Sequence, residues 1–249
     1  MIPVGDDNRD RRTRPFVTWA LIAVNVLVFV FFQGLGNNER FTYAYSTVPA
    51  EILSGKDVVT PDRAFLDRST GHRYLVPGLQ PTPVPVFLTI FISMFMHAGL
   101  AHILGNMLYL LVFGDNVEDR LGHFRYLLFY LFCGAAASLA HVYTTLCTGG
   151  ALNVPSLGAS GAISGVLGAY LLLFPRKRVR VLMAWFIVPV PAVFAVGIWF
   201  VFQLVNGLGY LGGGSSGGVA YAAHIGGFVA GFATVKIWEI GRGVGGGRR

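Results

Sequence analysis

Charged residues are scarce in this chain, and that scarcity is the first guide to its class. Asp, Glu, Lys and Arg make up 12% of the 249 residues, against about 25% in an ordinary soluble domain. The mean hydropathy is +0.60. Four long runs contain none of these residue types, namely 15–38, 75–114, 126–175 and 181–235. The composition therefore argues against a soluble enzyme and predicts a multi-pass membrane protein.

Cysteine is also scarce, and its placement excludes two further classes of protein. Cys133 and Cys147 fall in or at the end of one predicted span, which indicates neither a disulfide framework nor a metal site.

The net charge is +7, but it follows membrane topology, so no nucleic-acid partner is expected. The first apolar run is too long for the core of a signal peptide, and no small-residue cleavage site follows it. We therefore expect no cleavable signal peptide.

The charge-free runs hold six predicted membrane spans, since one span needs about 20 mostly apolar residues. Residues 75–85 contain four prolines and cannot form a span. Residues 86–96 are apolar but too few, so they predict a short membrane-associated segment. The spans are expected near 16–33, 99–115, 125–146, 160–174, 181–206 and 219–238.

We therefore predict an all-α membrane protein with one domain, a six-transmembrane-helix bundle over residues 16–238. An N-terminal tail over 1–15 precedes it, and a Gly/Arg-rich tail over 239–249 follows it. The first loop, 34–98, is expected on the outside and ordered only in part. The sequence does not determine the oligomeric state.

The distribution of Lys and Arg predicts the orientation. Of the 19 basic residues, 14 fall on one side if six spans alternate. The positive-inside rule then places both termini in the cytoplasm of a cell-membrane protein, with the lipid bilayer as a partner. The 14 residues are Arg9, Arg11, Arg12, Arg14, Arg120, Arg125, Arg176, Lys177, Arg178, Arg180, Lys236, Arg242, Arg248 and Arg249.

Two polar residues inside the apolar runs are candidates for chemistry. Ser160 opens the predicted fourth span, and His224 lies in the sixth. Ionisable and polar groups are costly inside a membrane and mark functional sites, and a serine with a histidine pairs a nucleophile with its general base. Alone, Ser160 is better explained as a helix N-cap, and His224 has a structural explanation as well. The nearest acids, Glu239 and Asp119, lie at the cytoplasmic ends of spans, so we expect a dyad.

Small residues on these two spans offer a way to bring the serine and the histidine together. Gly161 and Gly165 are four residues apart, as are Gly227 and Gly231. Small residues at this spacing let membrane helices approach closely. Generic packing is the more common explanation, and it is compatible with a direct contact between the fourth and sixth spans.

His102 and Asn106 form the third element of the predicted site. They are four residues apart, so they share one face of the second span, and both donate hydrogen bonds. A tetrahedral intermediate of acyl transfer needs such donors at its oxyanion. The alternative is a zinc pair formed by His97 and His102, but their spacing is poor for one helical face and no third ligand accompanies them. We expect no metal and no cofactor.

Taken together, these motifs make the chain resemble the rhomboid intramembrane serine proteases. The resemblance implies that Ser160 is the nucleophile and His224 the base, with His102 and Asn106 supporting the oxyanion hole. It also implies a six-helix core, a water-filled cavity open to the outside, and single-span membrane proteins as substrates. The matching pieces stand in the family's order, with His102-x-x-x-Asn106 on span two, Gly-Ala-Ser-Gly at 158–161, Ala-His-Ile-Gly-Gly at 223–227, and a similar segment at 113–122.

The resemblance has one departure, because many rhomboids carry a Trp-Arg pair in the first loop. Residues 86–89 here are Val-Phe-Leu-Thr, so this stretch contains neither Trp nor Arg.

The expected function is that of a serine endopeptidase that cuts membrane spans near helix-weakening Gly or Pro. The resemblance implies a small residue before the cut. The Gly-rich connection at 207–218 is a candidate gate hinge.

Two functions without peptide cleavage compete with this prediction. One is a catalytically silent rhomboid-like binder or chaperone of membrane spans. Such a relative would have lost the serine or the histidine, and this chain keeps both. The other is a transporter, which would show inverted repeats and charges at the midplane of the membrane, and neither is visible.

The predicted orientation is testable by labelling introduced cysteines on intact cells with an impermeant maleimide. In a background where both natural cysteines are alanine, cysteines at positions 69 and 215 are expected to react and one at position 246 is not. This follows because the basic residues place the first and fifth-to-sixth loops outside. Labelling of position 246 but not of position 215 would invert the topology.

Overall fold

The computed structural model describes residues 2–66, 73–211 and 220–240, and within them the chain is mostly helical. The helices are α1 Phe16–Leu27, α2 Glu39–Tyr45, α3 Pro49–Ser54, α4 Thr89–Ile92, α5 Leu100–Leu121, α6 His123–Cys147, α7 Ser160–Leu173, α8 Ala192–Leu211 and α9 Tyr221–Glu239. A π-helical turn, Val28–Phe32, extends α1, and 3₁₀ turns occur at Gly34–Gly36, Val86–Leu88 and Ser93–Phe95.

The described residues also form two small antiparallel sheets. One has three strands in the order β1-β4-β5, and the other pairs β2 with β3 in the first loop. The register of the first sheet places Pro3 opposite Val181. The strands are β1 Ile2–Asp6, β2 Arg63–Leu66, β3 Arg73–Val76, β4 Arg178–Met183 and β5 Phe186–Pro191.

The prediction of an all-α chain is wrong for residues 178–191, where the predicted fifth span would begin. These residues form the hairpin of β4 and β5, and the helix starts only at Ala192. β4 alternates exposed arginines with buried valines over residues 178–181, which is the period of a strand. Prolines at 189 and 191 are incompatible with a helix interior. Low charge alone does not distinguish a strand from a span.

The predicted N-terminal tail contains β1, which is held against the helices rather than extending freely. The Oδ2 atom of Asp6 accepts hydrogen bonds from the Asn116 side chain on α5 and the Tyr170 hydroxyl on α7, each at 2.6 Å. Burial raises the pKa of Asp6 to about 6. The beginning of the described chain is thus part of the packed structure.

Helix length alone does not establish six membrane spans. Among the described residues, α5 and α6 are long and apolar enough to cross a membrane by length and composition. The last part of the predicted hinge, 212–218, and most of the predicted C-terminal tail, 241–249, lie outside the described residues. Shorter apolar helical segments are Phe16–Phe32, Val86–Phe95, Ser160–Leu173 and Ala192–Leu208.

α7 lies at the centre of the helical bundle and packs against α5, α6, α8 and α9. Residues 161–170 are all buried, which explains why this helix is apolar on every face. A Cβ atom placed on Gly227 would overlap the carbonyl oxygen of Gly161, and one on Gly231 would overlap that of Gly165. The backbones of α7 and α9 are therefore in direct contact.

This contact predicts a stability difference between two glycine substitutions. Gly231→Ala pushes a methyl group into the α7 backbone, and overpacking of this kind costs about 1–3 kcal/mol. For a chain of this size the expected fall in Tm is roughly 2–12 °C. The control is Gly197→Ala, because nothing lies within 4 Å of a Cβ there. Thermal unfolding in detergent provides the measurement, and equal Tm values for the two variants would contradict the contact.

Candidate active site

Ser160 is the first residue of α7, and its hydroxyl does not cap the helix. The preceding residue, Ala159, occupies the N-cap position, and no side-chain capping bond is formed there. Gly158 has a φ of +127°, a conformation that favours glycine and turns the chain into the helix. The N-cap explanation of the serine is therefore wrong, and the hydroxyl group is available to another partner.

That partner is His224 on α9. The distance between Ser160 Oγ and His224 Nε2 is 2.8 Å, a hydrogen bond between residues 64 positions apart in the chain. A nucleophile within about 2.6–3.2 Å of a histidine nitrogen is the arrangement needed for general-base activation. The structure thus brings together the two residues that the sequence analysis paired.

The second ring nitrogen of His224 bonds a residue that the sequence analysis did not identify. Nδ1 lies 2.8 Å from Oε1 of Gln203 on α8, a residue that is 5% exposed. The run over 181–235 contains two amides, Gln203 and Asn206, and the sequence alone does not show which of them contacts the histidine. No carboxylate is hydrogen-bonded to His224 among the described residues. The dyad without an orienting acid stays a prediction.

His102 lies beside the residues that precede Ser160. A Cβ atom on Gly158 would be 3.0 Å from His102 Nε2 and 3.7 Å from Ser160 Oγ. The Nδ1 atom accepts a 3.4 Å bond from the Ala98 backbone N–H, which leaves the ring hydrogen on Nε2, the nitrogen near Gly158. This tautomer makes His102 a hydrogen-bond donor beside the turn that precedes Ser160.

Asn106 lies one turn after His102 on α5 and is 8% exposed. Its Nδ2 atom is buried and has no hydrogen-bond partner within residues 2–66, 73–211 and 220–240. A buried amide donor without a partner is uncommon, because the unpaired group costs about 1–3 kcal/mol. Such a donor is suited to a charge that develops only during a reaction.

Comparison with known proteins identifies the family. A family model described as the Rhomboid domain matches residues 85–238, more than half of the chain. The chain belongs to the rhomboid family. This family is embedded in membranes and includes serine proteases.

Three curated relatives illustrate the similarity. Rhomboid protein 1, mitochondrial, of Saccharomyces cerevisiae is 29% identical over 231 residues, covering 92% of this chain and 54% of the relative. RHOMBOID-like protein 1 of Arabidopsis thaliana is 32% identical over 229 residues, covering 82% and 53%. Rhomboid protease GluP of Bacillus subtilis is 32% identical over 137 residues, covering 55% and 23%. The chain spans about half the length of the first two.

The first loop of this rhomboid contacts the residues before Ser160, although it lacks the Trp-Arg pair. The helical segment 86–95 is adjacent to the start of α7, where the Ser93 carbonyl accepts a 2.9 Å bond from the Gly158 N–H. The Ser93 hydroxyl also bonds that of Thr47 at 2.8 Å. The loop therefore holds the residues that precede Ser160 through backbone and hydroxyl contacts.

The alternative of a zinc pair gains no third ligand from the structure. The rings of His97 and His102 meet edge to face with centroids 5.0 Å apart. No cluster of three or more His, Cys, Asp or Glu residues suited to a metal occurs in the part of the chain that the structure describes. The absence of a metal stays a prediction.

Asn106→Ala is expected to lower kcat by about 10²-fold or less and to leave KM nearly unchanged. A donor aimed at the oxyanion acts in the transition state, and the loss of one such donor costs about 10²–10³ where few others are present. His102 remains in the variant, which places the effect at the low end. Steady-state cleavage of a model substrate provides the measurement. An unchanged maximal rate with a raised KM would assign Asn106 to substrate binding instead.

Proposed function

We propose that this rhomboid is an intramembrane serine endopeptidase in which Ser160 and His224 form the catalytic dyad. The 2.8 Å hydrogen bond between Ser160 Oγ and His224 Nε2 is the observation that supports the proposal most directly. The unpaired amide of Asn106 supports it independently, since it offers the donor that acyl transfer requires. The substrates proposed are single-span membrane proteins.

In the proposed reaction, His224 Nε2 takes the proton of the Ser160 hydroxyl as Oγ attacks a peptide carbonyl. The carbonyl oxygen becomes an oxyanion, and donors from His102, Asn106 and the first turn of α7 stabilise it. The protonated His224 then gives its proton to the leaving amine, and an acyl-enzyme ester remains on Ser160. Water, activated by the same histidine, hydrolyses the ester.

The proposed membrane arrangement uses α1 with its π-helical extension, α5, α6, α7, α8 and α9 as six spans. Several of these helices are short for a span, but α5, α6, α8 and α9 pack against α7, and α1 packs against α5 and α6. The positive-inside rule supports a cytoplasmic location for both termini, with the site near the outer surface of a cell membrane. Water reaches the serine from that side.

An apolar cleft lies between α5 and α8 and extends to Pro3 and Val181 of the sheet, and we propose that it accommodates an apolar segment of the substrate. Its volume is about 280 Å³, and its lining includes Tyr109, Phe113 and Phe202. Trp199 also lines it, and its ring centroid is 6.2 Å from that of His224. A helical substrate has its carbonyls hydrogen-bonded, so it must unwind before attack, and we propose substrates with Gly or Pro near the cut.

Ser160→Ala and His224→Ala are each expected to abolish cleavage of a model single-span substrate while the protein still accumulates in membranes. Groups that act as one unit are non-additive, so the double variant should be no worse than either single variant. The matched control is Ser164→Ala. This buried serine lies one turn further along α7, and its hydroxyl donates to the backbone carbonyl of Ser160 at 2.6 Å, so the substitution leaves the Ser160 hydroxyl group and its bond to His224 in place.

The measurement combines cleavage with labelling by a fluorophosphonate probe, which reacts with activated serines. Wild type and Ser164→Ala should be labelled, and Ser160→Ala should not. Cleavage near the wild-type rate by Ser160→Ala would refute the assignment of the nucleophile. Binding of membrane spans without any cleavage by the wild type would favour the silent binder or chaperone.

A further inference from the structure

Gln203 is in direct contact with the proposed general base. We infer that Gln203 is the positioning residue that sets the tautomer of His224, an inference that rests on the proposed function of the dyad. The Oε1 atom of Gln203 lies 2.8 Å from Nδ1 of His224, on the opposite side of the ring from Ser160. Gln203 belongs to α8, a helix that contributes neither member of the dyad.

The direction of the two hydrogen bonds follows from the chemistry of the acceptor. An amide oxygen only accepts, so the hydrogen between Gln203 and His224 must belong to Nδ1. A neutral imidazole carries one hydrogen, and Nε2 is then unprotonated. Nε2 in turn accepts from the Ser160 hydroxyl, which is the state a general base requires. The contact with Gln203 thus selects the reactive tautomer.

The opposite orientation of the amide shows why this residue matters for the rate. If the Gln203 side chain turned by half a rotation, its NH₂ group would donate to Nδ1 and the ring hydrogen would move to Nε2. Nε2 would then donate to Ser160 and could not take its proton. The competence of the dyad therefore depends on which end of the Gln203 amide faces His224.

α8 fixes the ring as well as its tautomer. Trp199 and Gln203 are four residues apart and share one face of α8. The Trp199 ring lies at 35° to that of His224 with centroids 6.2 Å apart, and Tyr221 packs at 6.5 Å on another side. Two side chains of one helical face thus hold the histidine, one by packing and one by a hydrogen bond.

The test compares two substitutions at position 203, one that removes the acceptor oxygen and one that keeps it. Gln203→Met keeps the length of the side chain and removes the acceptor, whereas Gln203→Glu keeps an acceptor oxygen. We expect kcat to fall by about 10- to 10²-fold in Gln203→Met with KM nearly unchanged. This is less than the roughly 10⁴-fold loss when an orienting carboxylate of a serine protease becomes an amide. Gln203→Glu should recover most of that loss.

Asn206→Leu is the matched control. The Asn206 side-chain amide lies on α8 like that of Gln203, about one turn further along, and donates only to the Phe202 carbonyl at 2.7 Å. The control should keep the wild-type kcat. A purely structural role of Gln203 would instead give equal losses in Gln203→Met and Gln203→Glu, together with a lowered Tm.

Nitrogen-15 NMR of the histidine rings reads the tautomer directly and requires no activity. In the wild type above pH 8, the signals that disappear in His224→Ala should show a protonated Nδ1 and an unprotonated Nε2. Gln203→Met should lose this pattern. A wild-type His224 with its hydrogen on Nε2 would overturn the inference. If Ser160→Ala cleaved substrate normally, the proposed function would fail while the NMR result still decided the role of Gln203.

Discussion

The direct contact between the backbones of α7 and α9 is the constraint on which the site depends. Gly227 and Gly231 of α9 meet the carbonyl oxygens of Gly161 and Gly165 of α7, so the contact repeats after one helical turn on both helices. This repeated contact fixes the register of α9 against α7 as well as the distance between the two helices. A slip by one turn would move His224 about 5.4 Å along the helix axis, well beyond hydrogen-bond reach of the serine. The 2.8 Å bond between Ser160 and His224 therefore depends on four glycines, which let the two backbones meet.

The sequence was sufficient to predict the family and the contact between Ser160 and His224, because both rest on residue types that are costly or unusual in an apolar run. The catalytic roles of these two residues and of His102 and Asn106 stay predictions. The sequence was insufficient for the hairpin at 178–191. Only four residues there alternate with the period of a strand, and the rest of the apolar run is as compatible with a helix. Gln203 escaped prediction for another reason. An amide in an apolar run has no motif, and Asn206 lies in the same run. The role of Gln203 appears only when the fold brings α8 beside His224.

The hairpin and the N-terminal strand have a consequence for the site, since β5 leads directly into α8. β4 is the middle strand, bonded to β1 on one side and to β5 on the other. β1 in turn is held by the bonds of Asp6 to α5 and α7. α8 exposes apolar side chains such as Val193, Phe194 and Val201, which suits contact with lipid rather than with protein. The sheet therefore anchors the first residue of a helix whose outer face has few protein partners.

A neutral residue at position 203 fits a site within a membrane. A carboxylate beside the histidine would stabilise the protonated ring better, as in soluble serine proteases, but its burial would cost on the order of several kcal/mol before any substrate arrived. An amide costs far less to bury and still selects the tautomer through its oxygen. A neutral amide places no compensating charge beside the protonated ring, so in the proposed mechanism the oxyanion donors must supply a larger share of the stabilisation. In the proposed mechanism, that share falls to the unpaired amide of Asn106 and to the donor nitrogen of His102.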